Sequence, residues 1–253
     1  VHFPHTGVSI DELNRFASLA QRRLIFEEFF FFQLGLAERR RKTDMSRKPH
    51  KIDIDDRIRR AALSVVPVRL TKDQKLVLKE IVADLQKTRP MNRLLQGDVG
   101  SGKTIVALLG ALVAMENGLQ VAMMSPTELL AEQHFLNVSK LLKHSRFKTV
   151  LVTGTMNAKD RRKSRDDLAS GEGHLAVGTH ALVQEPVRFT KLGMVIIDEQ
   201  HRFGVIQRAV LREKGLRPDV LVMTATPIPR TLSLTAYGDL DVSLIHELPP
   251  GRH

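Results

Sequence analysis

The 253-residue chain has no cysteine, which excludes a disulfide framework, a thiol nucleophile and thiolate metal sites, and fits a reducing compartment. Tryptophan is also absent and Tyr237 is the single tyrosine, so there is little from which to build a platform of stacked rings for bases. Long apolar runs are missing. The most apolar stretch, Phe29 to Ala37, falls well short of the ~20 residues that span a bilayer, and Glu27 and Glu28 precede it. No basic segment followed by an apolar run opens the chain, so no secretion signal is read. The start at Val1 rather than Met is expected of a piece of a longer protein. Acidic residues are in the minority: 28 Asp and Glu against 39 Lys and Arg leave a net charge of +11. That excess predicts a polyanionic partner, nucleic acid first and an anionic membrane surface second. The remaining composition, 42% hydrophobic and 26% charged, excludes disordered and low-complexity classes. Its length suffices for one α/β domain with an appendage, or for two small domains.

Aromatic residues divide the chain, because seven of the eleven Phe lie within the first 32 residues. Residues 10 to 38 lack proline and keep a helical pattern. Ile25, Phe29, Phe32 and Leu36 form one stripe, with Phe26 and Phe30 beside it and Leu24 and Phe31 opposite. A helix apolar nearly all round is expected to be buried on several sides, wedged between domains; packing on its own domain alone is the alternative. Arg39-Arg40-Arg41-Lys42, then Arg47, Lys48 and Lys51, read as a basic linker, either a solvated connection or a contact for phosphates. From Leu70 onward, short apolar runs alternate with helical stretches, the pattern of a parallel sheet with crossover helices. Strands are expected at 93–96, 120–124, 148–152, 174–178, 193–197 and 219–223, and there is no internal repeat.

Directly after the first of these runs comes Gly97-Asp98-Val99-Gly100-Ser101-Gly102-Lys103-Thr104, followed by the helical stretch Ile105 to Glu116. It fits G-x-x-x-x-G-K-[ST] in the strand, loop, helix context that this motif requires. The glycines let the backbone curl until its N–H groups face a polyphosphate, and the helix N-terminus adds positive potential. Lys103 can reach the β and γ phosphates, and the Thr104 hydroxyl can bind Mg²⁺. The competing reading is a glycine-rich turn that only starts a helix. A phosphate loop needs an acidic partner at the end of another strand, and Met194-Val195-Ile196-Ile197-Asp198-Glu199 supplies one. Two adjacent carboxylates at the end of a buried strand would be costly without a cation. Asp198 is therefore the expected Mg²⁺ ligand, and Glu199 the expected general base for the water that attacks the γ-phosphate. An apolar run that simply ends in Asp-Glu is the bland alternative.

These residues predict a Mg²⁺-dependent ATP or other nucleotide hydrolase without saying what hydrolysis drives. The ordered series from Gly97 to Thr104, Ser125 to His134, Gly178-Thr179-His180, Asp198 to His201 and Thr224-Ala225-Thr226 resembles the motifs of superfamily 2 helicases. The strings GDVGSGKT from Gly97, DEQHRFGV from Asp198, MTATPIPRTLSLTAYGDLDVS from Met223 and LPPGR from Leu248 resemble the RecG family of branch-migrating DNA helicases. That likeness covers nearly the whole chain, and includes the VHFP start and FEEFFFFQLGL from Phe26, similar to the end of that family's wedge domain and its linker helix. The transcription-repair coupling factor Mfd is the nearest rival. It shares the GDVG and ATPIPRT strings but typically reads DEEQRFG, with Phe where this chain has Ser101. A non-enzymatic nucleotide-sensing or DNA-binding domain with a phosphate loop is the rival of another class.

The resemblance implies a RecA-like P-loop NTPase fold with a parallel sheet flanked by helices and an N-terminal helical linker segment. Residues 1–69 would hold the end of the wedge domain and linker, and 70–253 the ATP-binding lobe. It implies ATP and Mg as cofactors, with Gln74 reading the adenine, although an aromatic usual in the family is replaced at Pro67-Val68. A solvated glutamine at a helix start is the alternative. Thr224 and Thr226 would couple nucleotide state to DNA grip, unless they only form a strand-to-helix turn. Branched DNA, that is forks and Holliday junctions, would be held through Pro126, Thr127 and Glu128, through Gly154 with Lys159 and Arg161 to Lys163, and through Gly178, Thr179 and His180. Backbone N–H groups and hydroxyls suit phosphate contacts that ignore sequence. Between Lys159 and Arg165 five basic residues face one acid, Asp160, and a solvated helix face remains open there. The family's second RecA-like lobe, which completes the ATP site with arginines, and most of its wedge domain would be further partners. Arg202 and Arg230 of this lobe would instead meet the facing lobe or DNA. The implied setting is the bacterial cytoplasm, with the nucleoid and without a membrane partner.

Overall fold

A computed structural model describes residues 7, 9–65, 69–184, 187–198, 217–226 and 240–249. Pro67, Val68, Glu199, Arg202, Arg230, Tyr237 and the VHFP start lie outside the described residues. The chain forms two compact units: Val1–Thr43 with Ile228–Asp239, and Asp44–Pro227 with Leu240–His253.

In the first unit the expected single helix over 10–38 is corrected to two. α1, Ile10–Asn14, is capped by the Ser9 hydroxyl, which accepts from the Glu12 N–H at 3.1 Å. The backbone then turns at Phe16, whose φ of 54° is left-handed. α2, Leu19–Met45, begins beyond it, runs through the arginine cluster expected to be linker, and is about 40 Å long at 1.5 Å per residue. Arginine and lysine are good helix formers, so a basic run next to an apolar helix extends it unless glycine or proline intervenes. Phe26, Phe29, Phe30, Phe31 and Phe32 are 47–67% exposed, and Phe26 stacks on Phe30 at 5.9 Å between ring centres.

The second unit is built on seven strands: β1 Asn92–Gly97, β2 Gln120–Met124, β3 Thr149–Val152, β4 Leu175–Gly178, β5 Leu192–Asp198, β6 Asp219–Thr224 and β7 Asp241–Ile245. Their order is β3-β4-β2-β5-β6-β1-β7 and every neighbouring pair is parallel. Central strands β1, β2, β4 and β6 are buried at every position, as a sheet covered on both faces requires. Edge strands β3 and β7 are only partly buried. The six expected strands are present; β7 was not expected, because Asp-Val-Ser-Leu-Ile lacks the continuous apolar run of a buried strand and pairs only with distant β1.

Helices α3 (Asp56–Val65), α4 (Lys72–Leu85), α5 (Lys103–Glu116) and α6 (Glu128–Leu142) share one large apolar cluster with one face of the sheet. α7, Ala158–Ser170, and the 3-10 turn His180–Leu182 contribute to a smaller cluster on the other. Alternate residues of β4 divide between the two, Leu175 and Val177 against Ala176, as the pleat dictates. α5 is apolar nearly all round and is buried from Val106 to Met115. At the opposite end from its phosphate loop, Gln120 uses its whole amide: Nε2 donates to Leu168 and Gly173 carbonyls, and Oε1 accepts from Thr190 and Lys191 N–H groups.

Part of the expected linker belongs to this unit. Ile52 is core, and Lys48 is buried with its ammonium 2.8 Å from Asp219 Oδ2 and 2.7 Å from the Leu85 carbonyl oxygen. Asp219 also accepts from the Met91 N–H at 2.6 Å, and His50 Nε2 lies 3.5 Å away. The Lys48 and Asp219 side chains are 1% and 0% exposed. Removing one partner of such a pair leaves a buried uncompensated charge. Lys48→Ala is therefore expected to lower the unfolding free energy by about 3–5 kcal/mol, read from denaturant melts. A loss below about 1 kcal/mol would show the carboxylate finding water or another cation instead.

Candidate nucleotide and nucleic-acid site

Parallel strands put all their C-terminal ends on one edge of the sheet, and the motifs stand there in a row. β1 ends at Gly97 and α5 starts at Lys103, so Asp98 to Gly102 form the intervening loop. Gly100 and Gly102 both have φ of 86°, which a side chain rarely adopts. A Cβ on Gly102 would also run into the Gln74 amide. The loop closes on itself through the Ser101 N–H, which donates to the Asp98 carbonyl at 3.1 Å. Lys103 is folded back over it, donating to the carbonyls of Gly97 at 2.7 Å and Asp98 at 3.0 Å. The Ser101 hydroxyl is fully buried and has no hydrogen-bond partner among the described residues. Val99 is exposed at the tip.

Gln74 is buried, not solvated. Its Oε1 accepts from the Thr71 N–H at 2.9 Å, while the Thr71 hydroxyl accepts from the Gln74 N–H, a reciprocal cap that starts α4. Its Nε2 donates to the Ser101 carbonyl at 2.7 Å, so this side chain ties the start of α4 to the phosphate loop. Among the described residues its second Nε2 hydrogen has no acceptor. The start of α4 is also tied to the exit of β7. Asp73 accepts from the N–H groups of His246 and Glu247, which hold its carboxyl below the usual carboxylate range.

β6 separates β5 from β1, so Asp198 at the end of β5 stands about 10 Å across the sheet from the phosphate loop. Its Oδ2 is 2.8 Å from His134 Nε2 on α6. That contact was not anticipated. His134 lies in the motif that starts at Ser125, and nothing in its local sequence distinguishes it from a solvated helix residue. A cavity of about 1050 Å³ runs from Gly100, Lys103 and Thr104 to Gln133 and His134. At the end of β6 the hydroxyls of Thr224 and Thr226 bond each other at 2.7 Å, and Thr224 Oγ1 accepts from the Thr226 N–H. Thr224 pairs with Gln96 of β1, and Met223 with Asp198, so the threonine pair sits between the loop and the carboxylate.

The expected DNA-facing residues gather at the ends of β2, β3 and β4. Pro126 and Thr127 follow β2, and the Thr127 hydroxyl caps α6 by accepting from the Leu130 N–H. Thr179 caps the 3-10 turn beside exposed His180, and its N–H donates to the Val152 carbonyl. A side chain at Gly178 would collide with that same carbonyl. Glu128 bridges two of these loops: Oε1 accepts from the N–H of Gly154 at 2.8 Å and of Thr155 at 3.1 Å. The Thr155 hydroxyl and these N–H groups hold its carboxyl below the usual range. Arg161 reaches back from α7 to the carbonyls of Gly154 and Met156. Both thus shape the loop after β3. Lys159, Arg162 and Lys163 lie exposed along α7.

The loop and its surroundings fit a nucleotide with Mg²⁺. A curled backbone with left-handed glycines, a buried hydroxyl without a partner among the described residues and an ammonium folded over the loop carbonyls suit phosphate oxygens. The Thr104 hydroxyl and the Asp198 carboxylate are hard oxygen donors, and two protein ligands suit Mg²⁺, which takes the remainder from phosphates and water.

Comparison with known proteins bears on what such a lobe belongs to. A DEAD/DEAH box helicase family signature matches residues 71–235. ATP-dependent DNA helicase RecG of Aquifex aeolicus is 49% identical over 97% of this chain and 31% of its own length. RecG of Haemophilus influenzae is 47% identical over 100% of this chain and 37% of its own. The chain thus spans about a third of the length of these relatives. A structure of RecG bound to a three-way DNA junction superposes with a TM-score of 0.80 at 42% identity, over 92% of this chain and 31% of that one. The Pyrococcus furiosus Hef helicase domain, at 19% identity and a TM-score of 0.58, shares the fold. A phosphate loop, a strand-end aspartate and a threonine pair in register on one sheet edge, with that breadth of likeness, leave one assignment: the chain belongs to the DEAD/DEAH box helicase family and carries the first RecA-like lobe of its RecG type.

Proposed function

We propose that this lobe binds Mg²⁺-ATP and that, in the protein it belongs to, hydrolysis drives movement along branched DNA, remodelling forks and Holliday junctions. The observation that carries this reading is the single sheet edge on which the phosphate loop, Asp198, the Thr224–Thr226 pair and the three loops of Thr127, Gly154 and Thr179 stand side by side. Lys103 would exchange loop carbonyls for phosphate oxygens, and Thr104 with Asp198 would hold the metal. Mg²⁺, when bound, withdraws charge from the phosphates. Glu199, next in sequence after Asp198, takes the proton of the attacking water. Thr224 and Thr226 lie where a change at the nucleotide can be passed along the edge to Thr127, Gly154, Thr179 and His180. Pro126 and Lys159 complete the DNA side. The same reading sets the protein in the bacterial cytoplasm with the nucleoid. No helix among the described residues is long and apolar enough to cross a membrane.

Contact through phosphates sets the test. Binding of the chain to duplex DNA should ignore sequence and weaken with salt, log K falling with log salt by about 0.9 per phosphate contacted. Replacing Lys159, Arg162 and Lys163 together by Gln should flatten that slope by up to about 3, one for each lost contact. Arg161 is left in place because it holds the loop after β3. An unchanged slope would identify this side of α7 as merely solvated.

A further inference from the structure

We infer that His134 is a positioning residue for the metal-binding carboxylate, fixing which Asp198 oxygen is presented to Mg²⁺; this rests on the proposed assignment of Asp198 as a metal ligand. The two side chains come from elements 64 residues apart in sequence, α6 and the end of β5, and meet at 2.8 Å. Each is nearly buried, at 13% and 14% exposure, so water competes weakly for the bond. An ionised carboxylate can only accept, so the imidazole must donate its Nε2 proton, and this donation fixes Oδ2. Oδ1 has no hydrogen bond among the described residues and is the atom left for a cation. A carboxylate at a strand end can rotate about its last torsion with little cost. A donor from a neighbouring helix removes that freedom before the metal arrives. His134 also lines the same cavity as Lys103 and Thr104.

Partners of metal ligands that orient them typically contribute 10- to 100-fold to metal affinity. His134→Leu keeps bulk and apolar packing but removes the donor, whereas His134→Gln keeps an N–H near the position of Nε2. Binding of a fluorescent ATP analogue to the full 253-residue chain, titrated with free Mg²⁺, separates metal from nucleotide. His134→Leu should raise the Mg²⁺ concentration at half-saturation about 10- to 100-fold. His134→Gln should stay within about threefold of the parent, and binding in EDTA should be the same in all three. Asp198→Asn serves as the reference for losing the ligand itself. If Asp198→Asn shifts the Mg²⁺ dependence while the Leu and Gln variants match the parent, the positioning role falls and the metal assignment stands. If Leu and Gln shift it equally, the donor is irrelevant and the role likewise falls. An Asp198→Asn chain with parental Mg²⁺ dependence would overturn both. Circular dichroism of each variant confirms that the compared chains are folded.

Discussion

The 253-residue chain is expected to bind Mg²⁺-ATP yet to turn it over about 10³- to 10⁵-fold more slowly than a protein of its relatives' full length on branched DNA. Phosphate loop and carboxylates are encoded here. Transition-state charge, however, spreads over the γ-phosphoryl oxygens and calls for a cation placed against them from across the cleft. The family resemblance gives that task to arginines of a second RecA-like lobe. An arginine finger supplies roughly 4–7 kcal/mol of transition-state stabilisation, which binding energy elsewhere in the site does not replace. Lys103, which donates to the Gly97 carbonyl, belongs to the proposed phosphate loop itself and not to the far side of the cleft. A steady-state ATPase assay of this chain against the longer protein, beside a nucleotide titration, decides the matter. Equal turnover would sink a two-lobe mechanism. Failure to bind nucleotide would show that the second lobe, or the ring that the family has where this chain has Val68, is needed even to hold ATP.

Glu199→Gln, introduced into the longer protein, is expected to leave ATP affinity within a few-fold of the parent while slowing turnover about 10²- to 10⁴-fold. A general base acts mainly in the transition state, so its loss appears in kcat and hardly in ground-state binding. Gln preserves size and polarity and removes only basicity. Lys103→Ala should behave differently and weaken binding as well, because in the proposed role the ammonium would contact phosphate oxygens before and during the reaction. Turnover by Glu199→Gln at the parental rate on fork DNA would remove Glu199 from the base role, leaving Asp198 or a water chain to take it.

Much of the lobe is legible because its information is local. Gly97 to Thr104 is free to curl, since glycine at 100 and 102 permits the positive φ found there, and a strand and a helix flank it in the sequence itself. The run Met194 to Ile197 suits a strand buried on both faces, and its closing carboxylate follows by position. Helix lengths were less legible. The turn at Phe16 carries no glycine or proline to mark it, and the arginines after Glu38 suit a helix as well as a linker. Gln74, read either as an adenine ligand or as solvated, shows how one residue type serves opposite ends. Its cap with Thr71 is visible in the sequence, whereas its bond to the Ser101 carbonyl depends on where α4 comes to rest.

By itself, then, the sequence determined a parallel sheet with crossover helices, the phosphate loop, the strand-end carboxylate and the excess of positive charge, all of which follow from residue types at fixed short spacing. Tertiary structure alone decided that β7 closes the edge beside β1, that Lys48 leaves the basic run to neutralise Asp219 at 171 residues' distance, that Glu128 and Arg161 shape the loop after β3, and that His134 meets Asp198. Apart from the strand pairing of β7 and the short reach of Arg161, these are side-chain pairings between elements far apart in the chain. A polar side chain on a helix or in a linker looks the same in sequence whether it faces water or a partner, and only the packed sheet determines which it meets.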